Sequence, residues 1–464
     1  MLNGDNRIHE RDTQGVVRLI NSLRDYIQVM QKNDRVLEIK DPVSREDIPE
    51  LIDKLSADRK VLLFDNVEGY SFRLVANLVP SQDVFEILFP NTSNPREAFL
   101  EGTKRRENKV PVTRASLNTV DVREKDLLDV LPILKHYEGD SAPFITTSII
   151  SSPDPDSDFI GRGIHRMEYR GKNLLGVSLL NPPLGDIYQK YKARHENMPI
   201  TISIGVDPLL FLSMALKVPW GTDKLEIAGG LRGKGIEVVP SFESPIDMPA
   251  EGEIFLEGYV SPDKGQQDGP LGEISGYYLT LKETPTVVVQ RLSYKDFPIY
   301  HALLPTSPEA DMYLTFVSSA NLEENAKRLF PFISKITFIQ KSFGSSVVVN
   351  VKSVERFKVR SLLMFLLSFP MIKKAIVVDE DVNPEDLKDV EWAFITRCFP
   401  GEDIIIVNRL QGQPIDPQAG DGYGVAKIGI NATIQGKSIE SRAMVVKGDP
   451  EKVKKILDST GRVN

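Results

Sequence analysis

One stretch organises the rest of this sequence: residues 267–278, which read QDGPLGEISGYY. Asp268 and Glu273 flank a Gly-Pro-x-Gly turn, in which glycine permits positive φ and proline fixes φ at about −65°. Such a turn can hold two acids rigidly near each other. Because neighbouring carboxylates do not both ionise easily, one of them keeps its proton to higher pH and can donate it. The alternative is an ordinary turn whose acids are solvated.

Strand-like segments surround this turn. Residues 253–260 alternate like a half-buried strand, and residues 286–289 begin another. Such segments dominate residues 111–318, where Gly and Pro punctuate them and helical inserts occur at 186–196 and 209–216. This pattern predicts an antiparallel barrel or sandwich with inserted helices.

The flanking regions read as α/β domains. Residues 1–110 combine an amphipathic helix at 13–32 with a short buried strand at 61–64. Residues 319–464 alternate helix and strand, with Asn321 as a helix cap. We therefore expect an α/β (α+β) protein with three domains, whose bounds are 1–110, 111–318 and 319–464.

Composition narrows the class of protein. The 464 residues carry a formal net charge of −8, which argues against a nucleic-acid partner because such a surface needs a basic patch. One cysteine, Cys398, excludes an internal disulfide and suits the cytoplasm. Residues 1–12 lack the apolar core of a signal peptide. The apolar run 361–372 is too short to span a bilayer and predicts a buried helix.

A second segment, residues 153–167, reads PDPDSDFIGRGIHRM. Together the two segments resemble the UbiD family of decarboxylases, which carry an Asp-Pro-x-(Ser/Thr)-Gly…Asn-x-Gly-x-x-Arg segment and then a Glu-Gly-Pro-x-Gly-(Glu/Asp) loop. The resemblance extends over nearly the whole chain, from LFDNVEGY at 63–70 to VVDEDVNP at 377–384. It implies a central split β-barrel resembling that of flavin reductases.

The resemblance also implies a chemistry. Decarboxylation leaves an electron pair on carbon, so it needs an electron sink and then a proton donor. In the family the sink is prenylated FMN, and an arginine and two acids form the catalytic network. The matching positions here are Arg166, Asp268 and Glu273, with Glu273 as the expected proton donor. Asp268 is one methylene shorter than the family's usual glutamate, which puts its contact with Arg166 in question.

The positions that match the family's metal ligands carry other side chains. The family binds a divalent ion, usually manganese, through an Asn, a His and a Glu, and the ion bridges to the flavin phosphate. Here the Asn position is Gly161, residues 182–186 contain no histidine, and the Glu position is Lys224. Glu226 and Asp186 are the alternative ligands nearby, but Glu226 has the wrong spacing on what reads as an alternating strand. Since Mn²⁺ and Mg²⁺ need oxygen ligands, we expect no metal site here.

Basic side chains offer another way to hold a phosphate. Lys224 would supply a point charge and Arg162 a bidentate contact, to the phosphate of a flavin or of the substrate. The alternative is that both side chains simply point to solvent.

Further cofactor contacts follow from the resemblance alone. Ile164 and His165 fall in the cofactor-binding segment, and His165 replaces the family's usual tyrosine. Lys373, or its neighbour Lys374, matches a lysine that the family uses near the cofactor phosphate.

These observations favour a non-oxidative, reversible decarboxylase of an unsaturated or aromatic carboxylic acid. Its prenylated FMN would come from a flavin prenyltransferase, and family members are usually homo-oligomers. Two alternatives stay open at this point: a non-catalytic or partner-subunit homologue, and a flavin-independent enzyme that binds a phosphorylated substrate through Lys224 and Arg162.

Overall fold

The computed structural model describes residues 20–113, 116–413, 415–419, 424–434, 442–443, 445–446 and 448–459. The predicted helix at 13–32 therefore lies partly outside the described residues. The helices are α1 (Leu23–Lys32), α2 (Ile48–Leu55), α3 (Val84–Leu88), α4 (Pro95–Lys104), α5 (Leu184–Ala193), α6 (Pro208–Met214), α7 (Lys224–Arg232), α8 (Pro308–Leu329), α9 (Arg356–Leu367), α10 (Leu387–Arg397), α11 (Pro400–Asp403) and α12 (Pro450–Ser459).

The strands are β1 (Val36–Ile39), β2 (Val61–Phe64), β3 (Arg73–Ala76), β4 (Val110–Pro111), β5 (Asn118–Asp121), β6 (Phe144–Ile145), β7 (Ile149–Pro153), β8 (Ile160–Ile164), β9 (Met167–Tyr169), β10 (Leu174–Val177), β11 (Met198–Ile204), β12 (Glu237–Pro240), β13 (Asp247–Pro249), β14 (Ile254–Val260), β15 (Gln266–Gly272), β16 (Tyr278–Thr284), β17 (Thr286–Tyr294), β18 (Ile299–His301), β19 (Ile333–Phe338), β20 (Ser346–Val351), β21 (Lys374–Asp379), β22 (Ile404–Gln411) and β23 (Gly424–Ala432).

A curled antiparallel sheet forms the centre of the molecule. Its strands follow the order β6-β9-β10-β17-β14-β11-β7-β8, and β5 pairs with β17 beside this path. Strands β7, β11 and β14 at its centre are buried on both faces, and the alternate residues Ile200, Ile202 and Ile204 of β11 lie in the hydrophobic core. The sheet is the predicted half-barrel, so the expected mixed α/β fold with a central split barrel is confirmed.

The N-terminal sheet is completed from far along the chain. Its order is β1-β2-β3-β18, and β18 lies parallel to β3 with Ile299 opposite Arg73. Apolar side chains of this sheet and of the central sheet share one hydrophobic core, in which Phe64 and Leu74 lie with Ile202 and Leu256. Burial of these side chains, at ~25 cal/mol per Å² of apolar surface, holds the two parts together.

The C-terminal sheet follows the order β19-β20-β21-β23-β22, with β20, β21 and β23 parallel. Helix α9 packs its Leu362 and Leu366 against one face, and α10 packs Val390 and Ala393 against the other. This βα alternation agrees with the sequence pattern. In the described part of the chain, no helix is both long enough and apolar enough to cross a bilayer.

Two local sequence predictions outside the candidate site were wrong. The segment that reads as an alternating strand around Glu226 is helix α7, because Asp223 caps its N-terminus and Gly233, at φ +68°, ends it. Asn321 caps no helix, since α8 is capped by Ser307, begins at Pro308 and continues past Asn321. The three-domain division stays a prediction, and its boundary between residues 318 and 319 falls within α8.

Candidate active site

The hairpin of β15 and β16 presents the two acids. The Gly-Pro-x-Gly segment, predicted as a turn, instead lies within β15 at a break in strand register, and the hairpin turn follows Gly272. Gly269 has φ +88°, and a Cβ there would lie 2.6 Å from the carbonyl oxygen of Leu279. At Gly272 a Cβ would lie 2.2 Å from the ring of Tyr137. Glycine is therefore required at both positions, because backbone and neighbour leave no room for a side chain.

One guanidinium joins the two acids. Arg166 follows β8, and its Nη2 donates to Asp268 Oδ1 at 2.6 Å while its Nη1 donates to Glu273 Oε1. The side chain of Asp268 is 0% exposed and that of Glu273 is 21% exposed. Contrary to expectation, the shorter Asp268 keeps its contact with Arg166.

Burial sets the electrostatics of this network. Desolvation raises the pKa of Asp268, and the nearby Arg166 opposes that shift. Asp268 Oδ2 and Arg166 Nε are buried and find no hydrogen-bond partner among the described residues. Asp268 Oδ2 is therefore a buried acceptor that a bound molecule with a donor could satisfy.

Two further carboxylates fix the hairpin, and sequence reasoning missed both. Glu168 accepts from the backbone N–H of Gly269 at 3.1 Å, and Asp140 accepts from that of Gly272 at 2.8 Å. These bonds lie directly beside Asp268 and Glu273, so they hold both acids in register. Glu168 lies close to the predicted site in the sequence, two residues after Arg166 and within β9. Asp140 has no signal in the sequence, because it lies in a turn more than a hundred residues from its partner.

His165 and Ile164 lie beside Arg166. The Nδ1 of His165 approaches the carbonyl oxygen of Ser178 at 2.6 Å, and burial lowers the pKa of the ring to about 4. His165 is therefore neutral at physiological pH. Ile164 ends β8 opposite Ile149 and packs against the hydrophobic core.

Lys224 is buried, 6% exposed, at the first position of α7. Its Nζ donates to the carbonyl oxygen of Met214 at 2.7 Å, and burial lowers its pKa to about 8. The positive charge of Lys224 lowers the pKa of His165 further. Lys224 therefore lies inside the protein near the Arg166 segment, and the alternative that it points to solvent is excluded.

Arg162 is occupied by the protein itself. Its Nε donates to Asp223 Oδ1 at 3.1 Å, its Nη1 donates to Ser151 Oγ at 2.7 Å, and its Nη2 pairs with Asp247. Lys109 completes this cluster with contacts to Asp223 at 2.9 Å and Asp247 at 2.6 Å. The geometry does not support the expected phosphate contact, because all three guanidinium nitrogens of Arg162 already have protein partners and the side chain is buried.

Lys373 forms an ion pair with Asp416, whose Oδ2 lies 2.7 Å from its Nζ. Both residues line a cavity of about 240 Å³, together with Ser275 and Tyr277 from the tip of the hairpin. Lys374 lines the same cavity, so either lysine can face a ligand there.

Comparison with known proteins now identifies the family. Three family models match in succession: the N-terminal domain of 3-octaprenyl-4-hydroxybenzoate carboxy-lyase at residues 27–99, its Rift-related domain at 105–308 and its C-terminal domain at 311–432. The chain belongs to the UbiD family. The resemblance drawn from the sequence is therefore confirmed.

Curated UbiD relatives are decarboxylases. The anhydromevalonate phosphate decarboxylase of Methanosarcina mazei is 29% identical over 422 residues, which cover 88% of this chain and 95% of that protein. A phenolic acid decarboxylase of Escherichia coli O157:H7 is 28% identical over 443 residues, covering 89% of this chain and 92% of the relative.

Solved UbiD-class structures share the fold. HmfF from Pelotomaculum thermopropionicum in complex with FMN has a TM-score of 0.86 and 26% identity, covering 93% of this chain and 98% of HmfF. An evolved dimeric form of HmfF in complex with prFMN has a TM-score of 0.82 and 25% identity, covering 91% of this chain and 97% of that one.

The residues present suit the flavin of UbiD enzymes but not their metal. A buried ammonium at Lys224 suits an anionic phosphate. At Gly161, however, a Cβ would lie 2.5 Å from Ile187 Cδ1, so apolar packing occupies the position of the family's asparagine. Across the residues that the structure describes, no three His, Cys, Asp or Glu side chains are grouped as a metal site would need. A divalent ion next to Lys224 would also be repelled by its charge.

Proposed function

We propose that this chain is a non-oxidative, reversible decarboxylase of an unsaturated or aromatic carboxylic acid, with prenylated FMN as its cofactor. The observation that supports this most directly is the Arg166–Asp268–Glu273 network inside a UbiD fold. Prenylated FMN supplies the electron sink when it is bound. The relatives that are named as decarboxylases favour this function over a non-catalytic or flavin-independent role.

The protein's own residues would manage the proton. Asp268 and Glu273 share one guanidinium, and desolvation raises the pKa of Asp268, so the network favours retention of a proton. Glu273 is the more exposed acid and would give that proton to the carbon from which CO₂ has left. In the reverse direction the Glu273 carboxylate would take the proton from the same carbon. Asp268, fully buried, would keep Arg166 in place.

The setting of this activity is proposed on the same basis. A flavin prenyltransferase would supply the cofactor, and the protein would act as a homo-oligomer. The low cysteine content favours a cytoplasmic location.

Co-production with a flavin prenyltransferase tests the proposal. We expect native mass spectrometry to detect a bound prenylated flavin, with matching absorbance, and none after production without the prenyltransferase. The loaded protein should then release CO₂ from at least one acid of a panel of phenolic, cinnamic and other α,β-unsaturated acids. A chain that retains no flavin, or a loaded chain that is inactive across the panel, would contradict it.

A further inference from the structure

The ammonium of Lys224 makes fewer hydrogen bonds than it has N–H donors. An ammonium has three N–H donors, and in the described part of the chain Lys224 finds one acceptor, the carbonyl oxygen of Met214. It forms no ion pair with any described carboxylate, although burying a charge is costly unless the charge is paired. Two donors of a buried cation are thus available to a bound molecule.

The acid adjacent to Lys224 in sequence has other partners. Asp223 is adjacent in sequence, but its Oδ1 accepts from Arg162 Nε and from the backbone N–H of Leu225. Its Oδ2 pairs with Lys109 at 2.9 Å. The neighbouring ring of His165 is neutral. Among the residues that the structure describes, no carboxylate is therefore available to Lys224, and a bound molecule could supply the anion.

A second buried lysine shows what a purely structural role looks like. Lys427 is 1% exposed and donates to the carbonyl oxygens of Leu367, at 3.1 Å, and Phe369, at 2.6 Å, near the end of α9. Lys224 likewise reaches a carbonyl at the end of α6, but it makes one such bond. Completing a helix end therefore explains Lys427 more fully than Lys224.

We propose that Lys224 anchors the flavin phosphate directly, through its ammonium, and so makes cofactor binding independent of a divalent metal. This inference rests on the proposed flavin dependence. It follows from a buried cation with unused donors at the position where an acidic metal ligand would stand, and from the packing of Ile187 against Gly161. The ammonium donates hydrogen bonds to phosphate oxygens and balances part of their charge.

Flavin binding to the full-length apoprotein tests this anchor without any turnover assay. FMN and riboflavin differ by the phosphate, so their affinities, from quenching of flavin fluorescence, isolate its contribution. We expect Lys224→Met to weaken FMN binding by about tenfold or more, the effect of one charge-assisted hydrogen bond, and to leave riboflavin binding unchanged. Lys224→Arg should retain part of the FMN affinity.

Controls separate this role from folding and from metal binding. Lys427→Met removes the other buried lysine and should leave FMN affinity at the wild-type value. EDTA treatment followed by Mn²⁺ should change wild-type FMN affinity by less than about twofold, a readout that needs no variant. Loss of FMN affinity in EDTA, or equal FMN affinity in wild type and a folded Lys224→Met, overturns the anchor. A wild-type chain that binds neither flavin instead overturns the flavin dependence itself.

Discussion

At Arg166, a single side chain takes two acids from a distant hairpin, one on each terminal nitrogen. Guanidinium geometry permits this because its donors lie in one plane and point in fixed directions. A lysine could not hold both acids in the same way. The spacing between Asp268 and Glu273 along the hairpin is therefore matched to an arginine.

Replacing Glu273 by glutamine removes the proposed proton donor while keeping the shape of the side chain. We expect turnover of the flavin-loaded enzyme to fall by about 10²- to 10⁴-fold, the usual contribution of a general acid, with flavin retention unchanged. Single-turnover product formation, followed by mass spectrometry, measures this.

The matched control is Glu283→Gln, which alters an exposed acid on the same hairpin. Its turnover should equal that of the wild type. Glu273→Gln activity within about twofold of wild type would show that another group donates the proton.

Single residues also show where sequence reasoning stops. The resemblance carried by residues 153–167 and 267–278 predicted that Arg166 meets Asp268 and Glu273, and the structure brings the three side chains together. The contacts of Arg162 were not predictable, because its partners Asp223 and Asp247 are 61 and 85 residues away and no local pattern connects them. The sequence alone does not distinguish a charged strand residue that binds a ligand from one that forms a structural ion pair.

At the scale of elements, Glu168 and Asp140 hold the β15–β16 hairpin by accepting from the backbone N–H groups of Gly269 and Gly272, both of which lie in β15. Desolvation raises the pKa of Asp140, while its three backbone N–H partners favour the ionised form. These two carboxylates, Glu168 and Asp140, are called the hairpin clamp below. They connect the hairpin to the rest of the protein through polar contacts as well as packing.

Removal of either carboxylate of the hairpin clamp should make the hairpin that carries Asp268 and Glu273 more mobile, while both acids stay in the protein. We expect Asp140→Ala and Glu168→Ala to speed amide hydrogen exchange across the hairpin and to lower kcat by about tenfold or more, with flavin affinity little changed. Hydrogen exchange with mass spectrometry and steady-state kinetics measure both effects. Lys282→Ala, an exposed substitution on β16, is the control. Unchanged exchange in both clamp variants would show that packing alone fixes the hairpin.

Secondary-structure elements were predicted well where the local sequence pattern fits one structure. They were predicted poorly where the spacing of apolar residues fits both a strand and a helix. The strand at 61–64 was predicted to the residue, because four consecutive apolar side chains are buried there. At α7, burial of Leu225, Ile227 and Ala228 fits alternation and a helix face alike. The cap at Asp223 and the glycine at Gly233 decide for the helix, and these signals were overlooked.

For the molecule as a whole, buried histidines couple stability to pH. Burial lowers the pKa of His136 from 6.5 to about 4. As pH falls below 6.5, the unfolded chain binds a proton at this residue that the folded chain does not, so stability decreases until about pH 4. The slope from one such histidine approaches about 1.4 kcal/mol per pH unit.

His136→Leu should therefore flatten the acid side of the stability profile. The free energy of unfolding is measured by urea titrations between pH 7 and pH 5. It should fall more steeply with decreasing pH in wild type than in the variant, and the two slopes should differ by up to about 1.4 kcal/mol per pH unit. His195→Gln, which changes an exposed histidine, should leave the slope unaltered. Parallel profiles for His136→Leu and wild type would show that His136 is protonated in the folded state.

The parallel pairing of β18 with β3 has a consequence for how the chain is made. On the ribosome, β3 emerges long before its neighbour, which begins at Ile299. At about 5–20 residues per second, its edge stays without a partner for roughly 10–45 s. An unpaired strand edge is a template for pairing with other nascent chains. Slower translation should therefore lower the yield of folded protein, and a fragment that stops before Ile299 should precipitate.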